Sequence, residues 1–114
     1  MRYRQIPRAV GDTPLHWIRD AQGVAKLAKE LRQHDVIAVD LEHHSTFSFA
    51  GVTCLVQIST RHADYVIDGL VGLDLSPLQP VFAHAGTVKV LHGYDRVRDF
   101  GCQCCVATDP WRWL

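Results

Sequence analysis

VIAVDLEHH, residues Val36–His44, is the stretch whose reading decides the fold. Val36, Ile37, Val39 and Leu41 cover both faces of an extended segment, with Ala38 between them. This is the pattern of a central strand buried on both sides, as in α/β proteins. Side chains alternate along a strand, so Asp40 and Glu42 are expected on one face, one pleat apart. Two carboxylates ending an apolar strand are costly to bury without a cationic partner, and a hard divalent ion with oxygen ligands would serve. The same pair also reads as the polar exit of a strand into a loop. Spacing alone leaves both readings open.

Upstream, Leu15–Arg19 follows Thr13-Pro14 and reads as an edge strand, where proline at the start is tolerated. Asp20 is a candidate helix N-cap. Val24, Leu27, Ala28 and Leu31 then recur at helical spacing, with Lys26, Lys29, Glu30 and Arg32 on the other side as a solvated face. The helix is expected to end near Gln33-His34-Asp35.

Downstream, Ser45–Gly51 reads as a loop, and Thr53–Thr60 and Asp64–Asp68 as strands. The short link Arg61-His62-Ala63 predicts that these two form an antiparallel hairpin. Cys54 reads as a small core residue within the first of them. Gly69–Leu75 is expected to be a loop. Ser76 and Pro77 resemble an N-cap and first helical residue, with Leu78, Val81 and Phe82 as the apolar stripe of a short helix. Pro80 is compatible only because it lies in the first turn. Gly86 should end that helix, and Thr87–Leu91 is the last strand before His92-Gly93.

The order of elements implies a mixed α/β sheet flanked by helices, with the first and last strands as neighbours joined by a right-handed crossover. With 114 residues there is room for one small domain, and 47% hydrophobic content is that of a packed protein. Twelve basic and twelve acidic residues cancel. Bulk electrostatics therefore do not mark a nucleic-acid binder, and any such activity must come from a local site. No run has the length of a membrane span and Met1–Val10 lacks the apolar core of a secretory signal, so no membrane partner is expected. Cys54, Cys102, Cys104 and Cys105 do not form a disulfide framework, which suggests a reducing compartment.

VIAVDLEHHSTFSFAGVTCLVQIST, followed by ADYVID and KVLHG, resembles the RNase D-like branch of the DEDD 3′–5′ exonucleases, and within it the nuclear-exosome-associated type. The His43-His44-Ser45 continuation after the acids carries that distinction. The resemblance runs from about Thr13 to about Asp109, leaving residues 1–12 as an N-terminal arm and 13–114 as the exonuclease domain. It implies an RNase H-like fold and hydrolysis of single-stranded RNA from its 3′ end with two Mg²⁺ or Mn²⁺ ions. One ion activates water and the other steadies the leaving oxygen. By the same resemblance Asp40 bridges both ions and Glu42 ligates the one carrying the nucleophile. His43, His44 and His92 are the candidate substrate contacts. Exosome subunits are the implied protein partners, and the nucleus (nucleolus or nucleoplasm) the implied location.

The C-terminal half departs from the family pattern. That pattern has a metal-binding aspartate five residues after the histidine of its HG motif, a position held here by Val97. Arg98-Asp99-Phe100-Gly101 follows at once, so the intervening segment is shortened and Asp95 is the candidate stand-in for the third carboxylate. Seven residues then separate Gly101 from Asp109, as the family requires, with Pro110 replacing a threonine. The family's tyrosine and fourth carboxylate, on a later helix, have no counterpart before Leu114. The expectation is a partial domain, C-terminally incomplete and catalytically incomplete as given. The alternative is a non-catalytic remnant that binds RNA or an exosome-type partner. A zinc site on Cys102, Cys104 and Cys105 is a third reading, but C-x-C-C lacks the spacing of structural zinc sites, and these residues read as core and edge positions.

Overall fold

The amphipathic segment after Asp20 folds as α1, Ala21–Leu31, and buries the four residues predicted for its inner face: Val24, Leu27, Ala28 and Leu31. Asp20 caps it, its Oδ1 accepting the Gly23 N–H at 2.7 Å. The computed structural model describes residues 9–44 and 52–91. Five strands follow from the alternating segments: β1 Leu15–Ile18, β2 Val36–His44, β3 Val52–Ser59, β4 Asp64–Asp68 and β5 Val88–Leu91. They form one sheet in the order β1-β4-β3-β2-β5. The β2–β3 and β3–β4 pairs are antiparallel, while β1–β4 and β2–β5 are parallel.

The expected hairpin is present. Its turn is closed by Thr60, whose Oγ1 accepts the N–H groups of His62 and Ala63 at 3.2 and 3.1 Å. A serine/threonine hydroxyl here replaces a backbone turn bond.

The first and last strands are not neighbours, contrary to expectation; they lie at opposite edges. The Pro14 carbonyl accepts the Asp64 N–H at 2.9 Å, so β1 runs along the outer side of β4. The Asp35 carbonyl accepts the Val88 N–H at 2.7 Å, which seats β5 on the free side of β2. Both bonds are made by residues far apart in sequence, beyond the reach of local patterning.

β2 is also not buried on both faces. Ile37 and Val39 are fully buried, whereas Val36 and Ala38 on the opposite face are half-buried. Its buried face joins Val56, Ile58, Tyr65 and Ile67 of the neighbouring strands to α1 and to Leu78, Val81 and Phe82. These last three come from a 3-10 turn, Ser76–Leu78, running into α2, Gln79–Ala83. Ser76 therefore lies inside the turn and is not its cap. Leu75 holds the N-cap position, and Asp74 just before it accepts the Ser76 N–H on its carboxylate at 2.9 Å. Pro77 and Pro80 each occupy the first turn of their segment, where no donor is lost. A second 3-10 turn, Gly69–Val71, breaks the expected loop, and Gly72 at φ 68° supplies the left-handed residue that ends it.

Lys89 of β5 is 1% exposed and stands opposite Ile37 on the core side. Its Nζ donates to the His84 carbonyl at 2.6 Å, placing a cation at the C-terminal end of α2. Among the described residues no helix is long and apolar enough to cross a membrane.

Two measurements check this account. Phe82→Ala should cost about 3–5 kcal/mol in urea unfolding, as truncation of a buried aromatic does. The Asp74 carboxyl, held down by the Ser76 N–H and then by the Ser76 hydroxyl, should titrate below its ordinary 3.8 by NMR. The folded value is depressed, so the contribution of this turn is present above pH 3.8 and lost as pH falls through the folded midpoint.

Candidate active site on the open face of the sheet

The alternation that buries Ile37 and Val39 turns Asp40 and Glu42 outward together. Both are exposed, on the same face as Val36 and Ala38. Two residues of strand rise separate their backbones by about 7 Å. Asp40 Oδ1 accepts the N–H of Leu41 at 2.9 Å, a short-range bond that orients the carboxylate without neutralising it.

The acids lie on β2, second from the β5 edge, just beyond the Val36–Val39 stretch that β5 pairs. Asp40 stands opposite Gln57 of β3, which stands opposite Val66 of β4, which stands opposite Trp17 of β1. Glu42 stands opposite Leu55 and, beyond it, Asp68. Asp68 is engaged elsewhere, its Oδ1 accepting the Leu70 N–H at 3.0 Å. Asp64, one row away, accepts the Ser59 hydroxyl at 2.6 Å. Asp40 and Glu42 are thus two outward carboxylates with oxygen acceptors to offer, a donor type suited to a hard cation. They fit part of such an ion's shell. Among the described residues no group of three or more His, Cys, Asp or Glu side chains is arranged to hold a metal.

Just past the acids the register slips. Glu42 pairs with Leu55 but His43 pairs with Thr53, so Cys54 is an extra residue in β3. Such a bulge bends the strand, strengthens its twist and re-aims neighbouring side chains. No sequence signal marks it, since the segment contains neither glycine nor proline. The backbones of His43 and His44 continue β2, paired with Thr53 and Val52. His92 and Asp95, and likewise Val97, Asp99, Cys102, Cys104, Cys105 and Asp109, lie outside the described residues.

The sequence profile of the 3′-5′ exonuclease family matches residues 15–97, from the first residue of β1 to beyond β5. The chain belongs to that family. It is 42% identical to exosome complex component 10 of Mus musculus over 103 residues, covering 85% of this chain and 12% of that protein. The catalytic core of RRP6 from Trypanosoma brucei superposes with a TM-score of 0.73 at 37% identity, covering 79% of this chain and 25% of that one. Escherichia coli RNase D, described as an exoribonuclease involved in structured RNA processing, superposes with a TM-score of 0.65 at 26% identity. It covers 71% of this chain and 22% of its own. The expected family and mixed-sheet fold are therefore found, and the chain spans only about an eighth of the mouse relative's length.

If the acids serve chemistry and not architecture, the fold should tolerate their loss. Asp40→Asn and Glu42→Gln should each change unfolding free energy by no more than about 0.5 kcal/mol, as exposed substitutions do. Ile37→Ala, on the other face of the same strand, should cost about 2–5 kcal/mol.

Proposed function

We propose that this chain belongs to a 3′–5′ exoribonuclease of the RRP6 type, trimming single-stranded RNA from its 3′ end in nuclear RNA processing and decay beside exosome subunits. The observation that carries the reading is the exposed Asp40–Glu42 pair on β2 of a fold shared with RRP6 and RNase D.

Asp40 and Glu42 would hold Mg²⁺ or Mn²⁺. Bound there, the ions would activate a water and stabilise the leaving 3′ oxygen. The chain's own contribution is positional. The strand backbone fixes both carboxylates on one face, and the Leu41 N–H orients Asp40. His43 and His44, next along β2, and His92, just after β5, are the proposed contacts to sugar and phosphate. Asp95 is the proposed third carboxylate.

Two ions need several acids to hold them about 4 Å apart. Because only Asp40 and Glu42 come together among the described residues, a non-catalytic role in binding RNA or an exosome-type partner is the competing reading. A purified-chain assay on a 5′-labelled single-stranded RNA with a free 3′ end separates the two. The catalytic reading expects stepwise shortening from the 3′ end in Mg²⁺ that stops in EDTA. Asp40→Asn should reduce it more than about 100-fold, beyond the 10–100-fold typical of groups one contact removed from a metal. RNA binding with no shortening would establish the non-catalytic reading.

Metal binding is read separately by paramagnetic broadening. Mn²⁺ should affect the resonances of Asp40 and Glu42 first, and weakly, since water fills most of an octahedral shell held by two carboxylates. Broadening centred on Cys102–Cys105 would place the ion elsewhere.

A further inference from the structure

On the far edge of the acid-bearing face stands an aromatic side chain that the fold does not use. Trp17 is 52% exposed, although an apolar ring of that size is usually turned inward. Its strand neighbour Ile18 is buried in the core, so the pleat itself sends Trp17 to the face that carries Asp40 and Glu42. Register puts Trp17 in the same cross-strand row as Asp40, with Val66 and Gln57 between them. Three strand spacings make that row about 14 Å long. Its floor is a half-buried valine and a neutral amide, while the carboxylates of Asp64 and Asp68 in the flanking rows are held by the Ser59 hydroxyl and the Leu70 N–H. The Arg19 guanidinium lies 5.2 Å from the centre of the Trp17 ring, so the aromatic surface is accompanied by a cation. Proteins that hold single strands combine these two elements: aromatic faces for the bases and positive charge for the backbone.

We infer that Trp17, flanked by Arg19, is a stacking platform for an internal base of the single-stranded RNA whose 3′ end lies at Asp40 and Glu42. The inference rests on the function proposed above and adds to it a substrate-positioning residue remote from the chemistry. The acids at one end of the row need cations before an RNA terminus can approach. At the other end Arg19 meets the backbone directly, so the strand is guided across the sheet from Trp17 toward Asp40.

The test measures binding of 5′-fluorescein-labelled oligouridylate to the full chain by anisotropy, in EDTA for the native sequence and in Mg²⁺ for Asp40→Asn. Trp17→Ala should weaken binding about 5- to 150-fold, the range for loss of one stacked base. Trp17→Phe should stay within about threefold, since any aromatic face can stack. Arg19→Gln should weaken binding and lower the slope of affinity against salt by about one phosphate contact. A series of RNAs with one abasic nucleotide should show the same loss at a single internal position, and that loss should vanish in Trp17→Ala.

Equal binding by the Trp17→Ala chain, or an abasic effect that persists in it, overturns the inference. If Mg²⁺-dependent 3′ trimming survives alongside that result, only the platform is lost and the exonuclease reading stands. A chain that neither binds nor trims RNA removes both.

Discussion

One constraint governs this structure: β2 must satisfy a core on one face while presenting charge on the other. Ile37 and Val39 point into the cluster built by α1, the 76–78 turn and α2, and the next outward positions are Asp40 and Glu42. A strand cannot shift by one residue without exchanging these faces. Burial of two β-branched residues therefore fixes the direction of two carboxylates. The rest of the sheet holds β2 in this register, β3 pairing it antiparallel through the acids and β5 pairing it parallel over Val36–Val39.

The electrostatic consequence lies in which acids remain available. Asp20, Asp68 and Asp74 each accept a backbone N–H that ends or starts a local turn, and Asp64 accepts the Ser59 hydroxyl. Among the described residues, Asp40 bonds to the adjacent Leu41 N–H, which sets its orientation while its side chain stays exposed. The carboxylates that hold turns thus separate from the proposed ion-binding pair by what they touch. The bulge at Cys54 follows directly after the pair, at the point where β2 must leave regular pairing and carry His43 and His44 onward.

The family match gives this geometry its context. Similarity at 37% identity to the RRP6 core and 26% to RNase D extends over 79% and 71% of the chain. A fold can host more than one activity, so the site and not the sheet carries the argument for RNA trimming. The row from Asp40 through Gln57 and Val66 to Trp17 extends that site beyond the chemistry, toward what orients a strand.

Local patterns in the sequence determined a good part of this. Helical spacing identified all four buried residues of α1, two-residue alternation put both acids on one face, and a three-residue link defined the β3–β4 hairpin. Residues 36–60, with the motifs after them, were also enough to place the chain in its family. Tertiary structure alone decided which strands occupy the edges, because that depends on bonds such as Pro14 to Asp64 and Asp35 to Val88. It also decided that β2 buries one face, since apolar composition does not say how many sides a neighbour covers. The burial of Lys89, the extra residue at Cys54 and the alignment of Trp17 with Asp40 belong to the same class. The physical reason is common to them. Periodicity along a chain reports which face a side chain takes, whereas the partner across from it is set by pairing between distant segments, which leaves no local trace.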